Sequence, residues 1–341
     1  MNQALLNLKQ DCIDFISNYQ DSNGEFKTYL FFPGKAENGW IYSGPSVFIT
    51  SSTAICLLNV EGTEDIRKKA ANYVRSQMEK GGLWRFYPHH GLFKFNTPLD
   101  VDDTSLASYL LEKEQIAFPN NKDKLYKQLN KYRTFRIWFL PRTSLIRNPI
   151  FWFRLLFDLK YSWPIFFPLK GRTNSPLIAL SDNEHAVNAN VLLYLGKNDK
   201  SQCAINHLIE DLLFGNKHNL FFYPSYLIIY YHVSRLFEDG IVDVLNTKKM
   251  VESYLTNQST LVKENVFNKA IALLTLCNYR SELALVDELA EEIATTTKNE
   301  LFCNYAYFCT KDRNMLGGSE ALSAAIVAKA ISMYLKRELK N

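Results

Sequence analysis

Two kinds of helical segment alternate along this chain, and the alternation leaves few ways to fold it. Apolar residues recur with a period near 3.6 in twelve segments. Six are amphipathic and charged, at about 3–20, 63–80, 121–135, 199–213, 246–257 and 282–297, so each has one face to bury and one for water. The other six, at about 45–60, 100–115, 183–197, 224–238, 265–279 and 319–337, are apolar or small nearly all round and need cover on every side. Outer helices of the first kind wrapped around inner helices of the second satisfy both demands. Helix breakers fall between the segments, among them Gly24, Gly81-Gly82, Pro119, Gly196, Gly240 and Gly317-Gly318. Six outer–inner hairpins predict an all-α chain closed into an α/α toroid, a single barrel domain over 1–341. No strand-rich stretch competes with that reading.

Composition narrows the class of partner. With 341 residues, 47% of them hydrophobic, the chain can bury a sizeable core. A net charge of +4 is too mild to make nucleic acid the default partner. Cys12, Cys56, Cys203, Cys277, Cys303 and Cys309 are scattered without a CxxC pair or a His/Cys zinc spacing, which predicts reduced thiols and no metal. The start, Met1 to Leu6 followed by Lys9, Asp11 and Asp14, lacks a secretory pattern, so a cytoplasmic location is expected. No window of about 18 apolar residues is free of charge, and no spanning helix is expected.

Loop lengths point to a working end. In such a barrel every outer-to-inner connection opens on the same end, while the returns, such as 59–63 and 196–200, are short. The long connections carry Phe26, Tyr29, Phe31, Phe32, Trp40 and Tyr42, then Trp84, Phe86, Tyr87, Phe93 and Phe95. Phe221, Phe222 and Tyr223 follow, and then Phe302, Tyr305, Tyr307 and Phe308. Aromatic loops can plug a barrel end, or they can line a pocket for a ligand. Candidate ligand contacts are Trp40, Trp84, Phe86, Tyr87, Tyr223 and Tyr305.

The same end carries Asp100-Val101-Asp102-Asp103-Thr104-Ser105, directly before the apolar run Leu106 to Leu111. Like charges this close repel, so one carboxyl should keep its proton well above the ordinary Asp value of about 3.9. Such a group is an acid kept loaded near neutral pH. A plain helix cap with two solvated neighbours is the alternative for any single Asp here.

These residues resemble the class II terpene cyclases and squalene–hopene cyclases, whose α/α toroid is shared with protein prenyltransferase β-subunits. The family's acid motif, Asp-x-Asp-Asp-Thr and a small residue, is matched at each fixed position from Asp100 to Ser105. A second family signature, Gln-x(2–5)-Gly-x-Trp, is matched from Gln77 to Trp84, and again in degraded form from Gln20 to Phe26. The first half of the chain carries these motifs; the second half resembles the family in layout. The resemblance implies proton-initiated cyclisation of an isoprenoid, squalene-like or a prenyl diphosphate, with Asp102 as proton donor and Asp100 and Asp103 as its helpers. In the family a His partners the acid, and His185, which opens the next inner helix, is a candidate for that place. The other reading of His185 is a satisfied polar residue. No cofactor is implied, and Mg enters only with a diphosphate substrate, since the Asp-Asp-x-x-Asp metal motif is absent. Family members that cyclise triterpenes enclose the acid between two toroids. Here one toroid must provide the cavity from its interior or at a shared interface.

The third hairpin carries an insertion at about 136–181, in which rings such as Trp138, Trp152 and Trp163 are interleaved with Arg136, Arg142, Arg147 and Arg154. This pattern suits contact with a membrane surface from the cytoplasmic side, or a lid over the barrel mouth. Two other functions fit an α/α barrel. A carbohydrate-active enzyme would pair Asp102 with Asp182 or Glu184. A cyclase-derived toroid without catalysis would bind a lipid or a partner chain.

Overall fold

The structure is a computed structural model and describes residues 1–34, 39–88, 98–139, 184–215 and 220–339. The outer helices are α1 (Asn2–Tyr19), α3 (Glu64–Ser76), α5 (Lys122–Tyr126), α7 (Gln202–Phe214), α9 (Lys248–Asn257) and α12 (Leu285–Ala294). The inner helices are α2 (Val47–Cys56), α4 (Val101–Lys113), α6 (His185–Leu195), α8 (Tyr226–Glu238), α11 (Val266–Asn278) and α14 (Glu320–Glu338). Two short helices, α10 (Ser259–Lys263) and α13 (Lys298–Leu301), lie in the fifth and sixth outer-to-inner connections. Each inner helix packs on the next, and α14 packs on α2, so the ring closes.

Burial follows the two helix types. Every residue of α2 and of α6 is buried, whereas α12 buries only Val286, Leu289, Ala290 and Ile293, one stripe at helical spacing. The inner helices run parallel. Their starts meet at one end; at the other, Tyr109 Oη donates to Asp239 at 3.0 Å and Lys329 Nζ to the Leu58 carbonyl at 2.9 Å. Among the described residues, no helix is long and apolar enough to cross a membrane.

Two features depart from the all-helical pattern. The third outer helix, expected over 121–135, ends at Tyr126. Beyond it the Asn130 side chain accepts from the backbone of Tyr132 at 2.8 Å and Thr134 at 3.2 Å, and Arg133 takes a φ of 62°. Asparagine here offers the backbone a turn in place of the helix ladder. The second feature is an antiparallel sheet of β1 (Lys27–Phe31), β2 (Ile41–Pro45), β3 (Phe308–Cys309) and β4 (Leu316–Gly318), in the order β2-β1-β4-β3. It ties the first outer-to-inner connection to the last. Gly317 and Gly318 act there as strand residues: a Cβ would lie 1.9 Å from the Phe308 ring at the first and 2.1 Å from the Tyr305 carbonyl at the second.

Candidate functional site

The hairpins share a register that decides which side chains face inward. In the first, Ser46 caps α2 and the Phe26 N–H donates to Thr50 Oγ1, four residues past the cap, at 3.2 Å. In the second, Asp100 caps α4 and the Trp84 N–H donates to Thr104 Oγ1, again four past the cap, at 3.0 Å. In the third, Glu184 occupies the cap position and the Phe135 N–H donates to Asn188 Oδ1 at 2.8 Å. Thr104 is therefore a structural residue of the repeat. Two residues past each cap stand Phe48, Asp102, Ala186, Leu227, Phe267 and Ala321, all buried. One carboxylic acid occupies a position that is otherwise apolar.

The three carboxyls of α4 have different surroundings. Asp100 Oδ1 accepts from the backbone N–H of Asp102 at 2.6 Å and of Asp103 at 3.1 Å, the N-cap arrangement. Asp102 Oδ1 accepts from Asn190 Nδ2 at 2.7 Å, and its Oδ2 accepts from Tyr223 Oη at 2.7 Å. Asp103 is buried and its Oδ1 makes no hydrogen bond. Burial pushes all three carboxyls up, and the neighbouring carboxylates push Asp100 and Asp103 further, well above the usual range. For Asp102 the rise is opposed by Tyr223, Asn190 and the charge of Arg235. The set titrates as a unit, and Asp102 is the member whose conjugate base is best accommodated.

Behind Asn190 lies a buried cation. Arg235 Nη2 donates to Asn190 Oδ1 and to His232 Nδ1, and its guanidinium faces the Tyr231 ring at 5.1 Å. Arginine only donates, so His232 accepts at Nδ1 and carries its proton on Nε2, which meets Tyr307 Oη at 3.1 Å. Burial and the Arg235 charge hold His232 well below the usual imidazole range, hence neutral. Among the described residues no carboxylate pairs directly with Arg235; the carboxyl it reaches along its hydrogen bonds is Asp102, through the Asn190 amide. A buried cation is costly unless compensated, so this chain of bonds stabilises the anion that Asp102 leaves when it gives up its proton.

Rings gather on the same end. Phe48 has ring centroids of Phe308 at 5.7 Å, Phe86 at 5.9 Å, Tyr307 at 5.9 Å and Tyr223 at 6.2 Å, and Phe86 contacts Tyr87 at 4.9 Å. Burial raises Tyr223 well above the usual phenol range, so it remains a donor.

The sequence candidates divide accordingly. Asp100, Asp102, Asp103, Phe86, Tyr87 and Tyr223 come together. Trp84 stands in the wall instead: it is fully buried, its Nε1 donates to the Val74 carbonyl at 2.7 Å, and its ring meets Phe118 edge-on at 6.1 Å. Trp40 packs beside Phe31 at 5.7 Å, and Tyr305 stacks on Phe267 at 5.3 Å with its hydroxyl on the Glu300 carbonyl. His185 does not stand beside Asp102. It is one residue past its cap, about 140° around the helix from Asn190, and its Nε2 meets Asp211 of α7 at 2.6 Å. Asn190, His232, Arg235 and Tyr307 complete the site and were not among the candidates. Of the insertion only 136–139 is described; there the Val101 N–H donates to the Ile137 carbonyl at 2.8 Å, and the Phe139 N–H to that of Leu99 at 3.1 Å. The rest of it, with Phe93, Phe95 and Asp182, lies outside the described residues. Among those described, no three His, Cys, Asp or Glu are grouped to hold a metal.

A closed ring of parallel inner helices inside a ring of outer ones is a class II terpene cyclase-like fold, and solved structures carry it over nearly the whole chain. The type II terpene cyclase MstE from Scytonema, in complex with geranylgeranyl dihydroxybenzoate, is similar at a TM-score of 0.66 and 12% identity, covering 98% of each chain. The same enzyme with merosterolic acid A as product gives 0.64 and 12%, with 98% of each chain covered. A protein from Actinoplanes gives 0.67 and 13%, covering 97% of this chain and 99% of its own. No family sequence model and no curated protein sequence matches the chain.

Proposed function

We propose that this protein is a class II-type terpene cyclase that starts cyclisation of an isoprenoid by protonation from Asp102. The observation that carries the proposal is Asp102 itself: the one acid at the inward register position, buried, and bonded to Tyr223 and to Asn190, with Arg235 behind. An alkene or epoxide is a weak base, so the donor must be neutral at rest and leave a stabilised anion. Burial supplies the first condition; the two donors, Arg235 and the start of α4 supply the second.

The Asp102 O–H proton passes to an alkene carbon or epoxide oxygen, and its bonding electrons stay on the carboxylate. The carbocation formed is consumed as chain double bonds attack it and C–C bonds close; a carbon next to the last cation gives its proton to water, its C–H electrons form the final double bond, and Asp102 regains a proton from solvent. Phe48, Phe86, Tyr223 and Phe308 offer π-faces worth roughly 0.5–2 kcal/mol each to the cation. The fold neighbour MstE was solved with a geranylgeranyl compound, which supports a substrate of this class. Squalene-like chains and prenyl diphosphates both fit the reading, the latter with Mg on the diphosphate, and segment 136–181 is proposed to meet the membrane from which an apolar substrate comes. A glycosidase would need a second carboxylate free to act. Glu184, the described candidate, is already committed to three backbone N–H groups.

The test is purified protein with squalene, farnesyl diphosphate and geranylgeranyl diphosphate, membranes present, and products resolved by chromatography and mass. Cyclic product from at least one, lost in Asp102→Asn, is expected. No cyclic product from any of the three, or full activity in Asp102→Asn, refutes it.

A further inference from the structure

Glu184 occupies the N-cap position of α6, where Ser46, Asp100, Ser225 and Asn265 serve the corresponding helices with short side chains that bond their own first turns. Glu184 makes no such bond. Its longer side chain leaves its own helix and enters the connection before α8. There Oε1 accepts from the backbone N–H of Phe221 at 3.2 Å, Phe222 at 3.2 Å and Tyr223 at 3.1 Å, and Oε2 accepts from Phe222 at 3.0 Å. Three consecutive N–H groups form a concave anion seat, and this buried side chain fills it. The last of the three residues is the one whose hydroxyl lies 2.7 Å from Asp102 Oδ2.

We infer that Glu184 is the positioning residue of the proton donor: by clamping the Phe221–Tyr223 backbone it fixes the Tyr223 hydroxyl on Asp102. The inference rests on the proposed cyclase reading for its kinetic consequence. The seat is also tied through the Phe222 carbonyl, which accepts from the Cys309 N–H at 2.8 Å, through the Pro224 carbonyl, which accepts from Arg313 at 3.0 Å, and by the Phe221 and Phe222 rings against Lys311 and Trp138. The Tyr223 side chain also packs on His232 at 5.0 Å and Tyr307 at 6.1 Å and accepts from Asn190 Nδ2 at 3.3 Å, while Glu184 holds its backbone N–H. A displacement of about 1 Å suffices to break a bond of this length, and misplacement on that scale costs up to about 100-fold in rate.

Glu184→Gln keeps the shape but replaces one acceptor with a donor facing N–H groups. In the full-length protein it is expected to lower kcat by roughly 10- to 100-fold with KM changed less than about threefold. In a Tyr223→Phe background the same substitution should cost less than about threefold, because the hydroxyl it positions is gone. Amide exchange followed by mass spectrometry gives a readout that does not require turnover. The 220–225 segment should exchange at least about 10-fold faster in Glu184→Gln, with α11 unchanged. Equal losses of kcat in both backgrounds, or unchanged exchange in 220–225, overturn the inference. Absence of cyclic product from the unsubstituted protein would instead count against the cyclase reading, and the exchange result would still decide the clamp.

Discussion

Removing the Tyr223 hydroxyl should make Asp102 a weaker acid that stays loaded to higher pH. Tyr223→Phe keeps the ring in its contacts with Phe48 and His232 and deletes one 2.7 Å bond to Asp102 Oδ2. A hydrogen bond to an ionised group contributes about 1.5–3 kcal/mol, and it favours the carboxylate over the acid. At about 1.4 kcal/mol per pH unit, its loss raises the Asp102 pKa by roughly 1–2 units. Two opposite effects follow in one experiment. The alkaline limb of kcat, where the donor loses its proton, should move up by about 1–2 pH units. The plateau should fall roughly 10-fold, because the anion left by proton transfer has lost a donor. The assay is the rate of cyclic product formation between about pH 5 and 9, read as apparent constants of the coupled carboxyl set. A limb that stays in place or moves to lower pH would falsify the assignment of Tyr223 as donor to an ionised Asp102, as would a higher limb with an undiminished plateau.

The same buried acids should make stability fall as pH rises. Burial lifts Asp100, Asp102 and Asp103 above their usual range, so the folded state holds protons that the unfolded chain has released. Stability from these groups is complete below the unfolded values near 4 and is lost as pH climbs through the raised ones. A drop of several degrees in melting temperature from about pH 5 to 8 is expected, and a steady rise over that interval would refute it. Trp84→Phe tests the placement of that ring in the wall: loss of the Val74 bond and of packing volume should cost about 1–3 kcal/mol in denaturant unfolding, with KM within about twofold. A tenfold rise in KM at unchanged stability would return Trp84 to the substrate.

The inner helices were legible because total burial leaves one pattern, apolar or small residues on nearly all faces, and α2 and α6 are buried along their whole length. The sheet was not. Its strands have two to five residues, and β1 meets β4 from the far end of the chain, so no local period announces it. The acid was visible as a motif, since its three carboxyls are neighbours in sequence. Its partners were hidden by distance: Asn190 and Tyr223 lie 88 and 121 residues away, and only closure of the ring brings them to Asp102.

Yet the sequence held a signal for them. Asn190, His232 and Arg235 lie in helices buried on nearly every side, and a polar group buried there must find a partner. Side chains on a helix lean toward its start, so Arg235 and His232, three residues before it, point together toward the end where the carboxyls lie. A buried guanidinium needs an anion, and the carboxylate triplet at that end can supply one through Asn190. Matching the hairpins by the acceptor four residues past each cap, Thr50, Thr104 and Asn188, would also have separated His185 from the acid. His185 then falls in register with Val47 and Val101, not with Phe48 and Asp102. The motif located the acid; the register of the repeat determines what can reach it.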